Sequence, residues 1–182
     1  MDSCPALINR LFLTHGSPRF RSFSMNRRNV RRLAMQLLYQ FDLGGESEEQ
    51  AVLAGLEGTH DAPQVRRDAF HLAREAWDVR ADADRRIAEL TPEWPTHRQP
   101  PVDRAILRLA AYEIASGYAP LKVAINEAVE LTKRYAGEES PAFVNGVLDK
   151  LARQLQREGA LPSAAEPAPE EDTWLRDALD DS

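Results

Sequence analysis

The chain has 182 residues, a net charge of -6 and a single cysteine. This length suits one compact domain or two small ones with a sizeable core, and a single cysteine excludes a disulfide framework or a cysteine-based zinc site. No apolar run approaches the ~20 residues of a membrane span, and residues 1–24 make a poor signal peptide, so we expect a cytoplasmic protein that enters no membrane.

The basic residues are concentrated near the start of this acidic chain. Residues 1–41 contain seven arginines and one acid, whereas the rest carries 16 Lys and Arg against 28 Asp and Glu. A basic segment on an acidic protein is typical of a polyanion-binding surface. The simpler alternative is a solvated face whose arginines bind nothing.

Residues 1–24 show no helical period, and we predict that they form a disordered extension. Met25 stands just before the first periodic segment. We therefore interpret Met25 as the true start, a hypothesis that N-terminal sequencing of the natively expressed protein would test.

The first predicted helix covers about 28–42, where apolar residues recur at the helical period. At 100° per residue, the side opposite this apolar stripe holds Arg28, Arg32, Met35 and Tyr39, with Arg27 and Arg31 beside them. The pattern predicts an exposed arginine stripe that also carries an aromatic ring. Two glycines, Gly44 and Gly45, are expected to end the helix.

A short helix is predicted at 47–57, with Ser47 and Gln50 as a capping box. A long helix follows at about 63–90, begun by Pro63 in its first turn. Four prolines then mark residues 91–101 as an irregular connector with at most one helical turn.

Three further helices are predicted at about 101–116, 121–136 and 140–156, the last with Ser140 as its cap and Pro141 in its first turn. Phe143 lies near the rim of the apolar face of that last helix, whereas Tyr135 falls on the buried stripe of the helix before it. Residues 157–182 are rich in acids and prolines and are predicted to be a disordered acidic tail. The fold class predicted from these elements is all-α.

The sequence contains no recognisable catalytic constellation. It lacks a phosphate-binding glycine loop, a nucleophile elbow and paired metal-binding cysteines and histidines. We therefore expect a protein that is not an enzyme and that uses no metal or other cofactor.

Three segments of the second half carry a resemblance to a known family. They are PVDRAILRLAAYE at 101–113, VAINEAVEL at 123–131 and FVNGVLD at 143–149. In order and spacing they closely resemble the transcription antitermination factor NusB, and the arginine-rich opening resembles that family's first helix. The resemblance covers about 26–156.

This resemblance implies an all-α fold of two three-helix subdomains packed roughly perpendicular to each other, here at about 25–90 and 101–156. It also implies binding to the single-stranded boxA element of nascent ribosomal RNA transcripts, together with NusE, a small-subunit ribosomal protein. The complex would join RNA polymerase with other Nus factors and suppress premature Rho-dependent termination. Self-association into a homodimer is a further alternative that the family allows.

The resemblance also assigns roles to individual residues. Those that match RNA-binding positions, or extend them, are Arg27, Arg28, Arg31, Arg32, Tyr39, Lys133, Tyr135, Glu139 and Phe143. Arg32 departs from the family pattern, in which an acid can stand, so it either adds a phosphate contact or is only solvated. Tyr135 is divided between a core role and an RNA contact. Asp103 begins the helix that resembles the NusE-binding region.

Two alternatives of other classes stay open at this point. NusB-like domains also precede the catalytic domain of ribosomal RNA cytosine methyltransferases, which need a cofactor-binding domain and catalytic cysteines. The only cysteine here is Cys4. The second alternative is a helical protein-interaction domain whose arginines never contact RNA.

Overall fold

The computed structural model describes residues 24–45, 48–57 and 60–161, and within these ranges it contains α-helices and one 3-10 turn but no strand. The seven helices are α1 (Ser24–Asp42), α2 (Glu49–Gly55), α3 (Pro63–Asp78), α4 (Arg80–Leu90), α5 (Pro101–Ser116), α6 (Leu121–Tyr135) and α7 (Ser140–Arg157). The predicted all-α class is confirmed. Helix α1 begins at Ser24, earlier than the predicted start at about 28 and inside the extension predicted at 1–24. The predictions for residues 1–23 and 162–182 lie outside the described residues, and Met25 as the true start stays a prediction.

Helix α5 is the centre of the fold. It packs against α1, α3, α4, α6 and α7, and it is buried on nearly every side from Asp103 to Ile114. Five neighbouring helices therefore enclose it, and the charged side chains that are buried with it need partners inside the fold. Buried side chains from both halves of the chain form one continuous core, so the division at 25–90 and 101–156 stays a prediction.

Two arginines of α5 form ion pairs with residues of neighbouring helices. Arg108 donates to both carboxylate oxygens of Asp84 at 2.8 and 2.6 Å, and to Asp42 at 2.6 Å. Asp42 also accepts hydrogen bonds from Arg104. Burial raises the pKa of Asp42, but Arg108 and Arg104 lower it more, so its pKa lies below the usual value. The C-terminal residue of α1 is thereby joined to α5, and α5 to α4, by charge-assisted hydrogen bonds.

Proline and glycine stand at several helix ends. Pro63, Pro101 and Pro141 lie in the first turns of α3, α5 and α7, where a missing N–H costs nothing. Gly117 ends α5 at φ 69°, and Gly44 follows α1 at φ 78°. Both glycines hold left-handed backbone that other residues adopt only with strain.

The predicted long helix at 63–90 is wrong, because the chain breaks at Val79 (φ -100°, ψ 7°) and begins a new helix. At the break the Arg80 guanidinium donates to the Trp77 carbonyl at 2.7 Å and lies 4.1 Å from the Trp77 ring centroid. The hydrophobic period continues through this point and neither glycine nor proline is near it. The break therefore has no local signature in the sequence.

Two other details of the prediction need correction. Residue Glu48, not Ser47, precedes α2, and it forms no side-chain cap; Ser47 itself is not described. The predicted tail begins too early, because Glu158 accepts a hydrogen bond from Arg86 at 2.9 Å and Leu161 packs against the core. The connector at 91–101 does contain the expected single turn, Thr96–Arg98.

Candidate nucleic-acid interface

A groove of about 420 Å³ runs between α1 and α6. Its lining is Arg28, Asn29, Arg32, Asn126, Glu127, Glu130, Leu131, Lys133, Arg134 and Tyr135. We call it the α1–α6 groove. It brings together four of the predicted RNA-binding residues, Arg28 and Arg32 from α1 and Lys133 and Tyr135 from α6, although the two helices are far apart in the chain.

Arg28 is the most exposed cation of the groove that forms an ion pair. Its Nε donates to Glu127 Oε1 at 3.1 Å, and the side chains are 73% and 13% exposed. An exposed arginine can exchange this carboxylate for an RNA phosphate at little cost, because water already solvates most of the guanidinium. The prediction of an exposed cation on α1 is confirmed at this position.

The predicted exposure of Arg31 is wrong. Its side chain is 3% exposed, and its Nε donates at 2.8 Å to Glu113 Oε1, itself 2% exposed. Burial raises the pKa of Glu113 although Arg31 lowers it. Met35, also placed on the exposed side, is buried. The reason is that α1 packs against both α3 and α5, so its buried face is wider than one apolar stripe.

Arg32 lines the groove but is already bound within the chain. Its Nη2 donates to the two carboxylate oxygens of Asp61 at 2.8 and 2.7 Å, and its Nη1 donates to Gln36 at 3.3 Å. The side chains of Arg32 and Asp61 are 23% and 11% exposed. Arg27, by contrast, is half-buried and lies close enough to lower the pKa of Glu113.

The three predicted aromatic platforms differ in position. Tyr135 lines the α1–α6 groove, is partly buried against the core, and has the Arg134 guanidinium 5.4 Å from its ring centroid. Tyr39 and Phe143 are also partly buried against the core, and neither lines the groove. Phe143 thus takes the rim position expected of it, whereas Tyr39 is less exposed than predicted.

The remaining predicted residues lie on α6, α5 and the turn before α7. Lys133 is exposed and donates to Glu130 at 2.7 Å, which lowers the pKa of Glu130. Glu139 is exposed at the residue preceding α7. Asp103 is buried and accepts a hydrogen bond from Ser140 Oγ at 2.8 Å, so Ser140 ties α7 to α5 and does not cap its own helix. Burial raises the pKa of Asp103.

Sequence reasoning missed two acids that define this region, Glu113 and Glu127. A clue to Glu113 existed, because it stands in the apolar run AAYEIA at 110–115, and a buried acid needs a cation nearby. Glu127 lies on the predicted surface of α6, and its pairing with Arg28 depends on how α5 positions α1 and α6, which both pack against it. No local pattern could have indicated that contact.

The described ranges hold no group of three or more His, Cys, Asp or Glu side chains arranged to bind a metal ion. None of the helices in those ranges is long and apolar enough to cross a membrane.

Comparison with known proteins gives one consistent result. The family model described as "NusB family" matches residues 28–153. "Transcription antitermination protein NusB" from Roseiflexus sp. (strain RS-1) is 42% identical over 125 residues, which are 67% of this chain and 88% of the relative. The protein of the same name from Solibacter usitatus (strain Ellin6076) is 38% identical over 140 residues, 76% of this chain and 96% of the relative.

Solved structures agree with the fold. NusB from T. maritima superposes with a TM-score of 0.63 at 30% sequence identity, covering 74% of this chain and 97% of the other. A structure described as antitermination factors NusB and NusE in complex with dsRNA matches with a TM-score of 0.59 at 24% identity, covering 72% and 99%. The second likeness supports the fold alone.

Proposed function

The chain belongs to the NusB family, and we propose that it is a transcription antitermination factor that binds boxA-type single-stranded RNA in the α1–α6 groove together with NusE. The complex would act on nascent ribosomal RNA transcripts, join RNA polymerase with other Nus factors, and suppress premature Rho-dependent termination. The name that the relatives share supports a role in transcription antitermination. The site is supported by one observation, the meeting of Arg28 and Tyr135 in the same groove.

That combination suits single-stranded RNA. Proteins hold such RNA with cations along the phosphate backbone and aromatic rings under the bases. In the groove, Arg28, Lys133 and Arg134 supply charge and Tyr135 supplies a ring. Phe143 and Tyr39 would extend the surface at two other places. Arg31 has a different task in this proposal, because its charge is buried against Glu113; it holds α1 on α5 and so positions Arg28.

A small basic groove on an acidic protein favours a need for a partner. Glu127, Glu130 and Asp61 already offset part of the positive charge. We therefore expect weak RNA binding by the protein alone and tighter binding in the presence of NusE. Asp103 is our candidate residue for NusE binding. Its carboxylate is buried within this chain, so we propose that it acts by positioning the start of α5 for contact with NusE.

The test is fluorescence anisotropy with a boxA-like RNA, a scrambled RNA and a duplex of the boxA-like sequence, each with and without NusE. Arg28→Ala and Tyr135→Ala should each weaken binding to the boxA-like strand, the tyrosine by about 1–3 kcal/mol. Arg28→Ala should also reduce the salt dependence of binding.

A matched control is Arg153→Ala. Arg153 is 69% exposed and pairs with Asp149, much as Arg28 pairs with Glu127, but it lies on α7 outside the groove. It should leave RNA binding unchanged. Wild-type protein that prefers no RNA, even with NusE, would contradict the proposed function.

A further inference from the structure

We propose that Asn29 and Asn126 read the edge of an unpaired RNA base in the α1–α6 groove, and so set the sequence preference of this protein. This inference rests on the function proposed above. It adds what the arginines and tyrosine lack, since phosphate contacts and ring stacking tolerate many sequences.

Both asparagines are placed where a helix gains nothing from them. Asn29 lies in the interior of α1 and Asn126 in the interior of α6, and both are exposed. Asparagine is a poor interior helix residue, because its short amide competes with the backbone for hydrogen bonds. Throughout the described part of the chain, neither amide forms a side-chain hydrogen bond, and neither residue is among those with further unprinted contacts. The fold therefore makes no visible use of them.

Their position does suggest a use. Both residues line the same groove as Tyr135, one from each wall. Arg28 precedes Asn29 in the sequence, and Glu127 follows Asn126. Arg28 Nε on α1 lies 3.1 Å from Glu127 Oε1 on α6, and this ion pair brings the two walls together beside the asparagines. Asn126 precedes Tyr135 by nine residues on α6, about 13 Å along the helix axis. A strand with one base stacked on the Tyr135 ring would therefore bring a neighbouring base, with its phosphate near Arg28, to the two asparagines.

The amide group also has the required chemistry. It offers a donor and an acceptor side by side, and each base presents adjacent hydrogen-bonding groups on its edge. The charged groups of the lining differ in this respect, because guanidinium and ammonium groups only donate and ionised carboxylates only accept. Asn29 and Asn126 are thus the groove residues whose side chains offer a donor and an acceptor in one planar group.

The experiment compares RNA preference across a set of boxA-like strands in which each position carries all four bases in turn, in the presence of NusE. Asn126→Ala and Asn29→Ala should each reduce the spread of affinities at one position, by roughly tenfold for a two-bond contact. The salt dependence should stay as in the wild type, because no charge is lost. Thermal stability should not fall, since alanine is the better helix former.

A second variant makes the result directional. Asn126→Asp replaces a donor–acceptor pair by two acceptors, so the favoured base at the affected position should change towards guanine, whose edge offers two adjacent donors. The added charge repels every RNA alike, and the ratio among the four bases is therefore the relevant measure.

Asn145→Ala is the matched control, because Asn145 is also an exposed helix-interior asparagine but lies on α7 and does not line the groove. It should leave base preference unchanged. A wild-type preference that survives Asn29→Ala and Asn126→Ala, or that Asn145→Ala reduces equally, would overturn the inference while leaving the proposed function intact. Wild-type protein without any preference for the boxA-like strand would overturn both.

Discussion

Arg28 and Arg31 lie less than one turn apart on α1, yet their ion pairs do different work. Arg31 and Glu113 are 3% and 2% exposed, whereas Arg28 is 73% exposed and Glu127 13%. Water screens the exposed pair of Arg28 and Glu127, here called the outer pair, and can replace either partner. Water cannot replace a partner in the buried pair of Arg31 and Glu113, here called the inner pair, so a group left unpaired there stays desolvated. Burial, more than residue type, therefore decides which arginine is structural and which is free to bind a ligand.

The largest effect should follow from breaking the inner pair. Glu113→Gln leaves the Arg31 guanidinium buried without a counter-charge, and we expect a loss of about 3–5 kcal/mol in the free energy of unfolding. Urea denaturation at pH 7 measures it. The double variant Arg31→Met, Glu113→Leu should recover most of this loss, because apolar side chains of similar size can replace a buried ion pair.

The exposed pair Lys133–Glu130 supplies the contrast. Both side chains are more than half exposed, so Glu130→Gln should leave the urea midpoint unchanged within experimental error. A destabilisation by Glu130→Gln comparable to that of Glu113→Gln would show that burial does not separate the two kinds of pair.

A smaller loss is expected at Asp42, which joins α1 to Arg104 and Arg108 of α5. Asp42→Asn should cost about 1.5–3 kcal/mol at pH 7, as for a charged hydrogen-bonding group. The arginines lower the pKa of Asp42 below that of the unfolded chain. Its contribution is therefore present above the unfolded pKa and is lost as the pH falls through the folded pKa.

Urea titrations of wild type and Asp42→Asn at pH 7 and pH 3 measure this dependence. The difference between the two proteins should shrink at the lower pH. Asp149→Asn, which removes a carboxylate from an exposed pair with Arg153, is the control and should show little difference at either pH. A gap between wild type and Asp42→Asn that widens on acidification would contradict the assignment.

Helix limits show how much of the fold the sequence could predict. The ranges of α5, α6 and α7 were predicted within a residue because proline and glycine mark their ends and apolar residues recur at the helical period between them. The break at Val79 was missed because the apolar period continues through it and neither proline nor glycine is near it. Local patterns indicate the helix ends that proline or glycine marks, and they miss a break that lacks both.

For the candidate site, the sequence could indicate the residue types but not their exposure. Periodicity placed Arg31 beside an exposed stripe, because α1 alone gives no sign that α5 covers its flank. The resemblance grouped Arg28 with Tyr135, and the structure places both in one groove. Their acidic neighbour Glu127 became visible only when α1 and α6 were seen together. Each error arose where a second helix decided the environment.

The smallest predicted effect concerns Glu127, which forms an ion pair with Arg28 in the free protein. An RNA phosphate at Arg28 has to displace this carboxylate, so Glu127→Gln should tighten binding of boxA-like RNA about two- to fivefold, the range of an exposed ion pair. Fluorescence anisotropy with NusE at fixed salt measures the change.

Asp149→Asn removes the same unit of charge from an ion pair on α7 whose arginine, Arg153, is 69% exposed, and it therefore separates a local effect from the change in net charge. If both substitutions tighten binding equally, long-range attraction explains the gain and Glu127 does not compete with RNA for Arg28. Weaker binding by Glu127→Gln would instead mean that the carboxylate itself accepts hydrogen bonds from the RNA. Only a gain confined to Glu127→Gln identifies the outer pair as one that opens on binding, in contrast to the inner pair of Arg31 and Glu113, which stays closed.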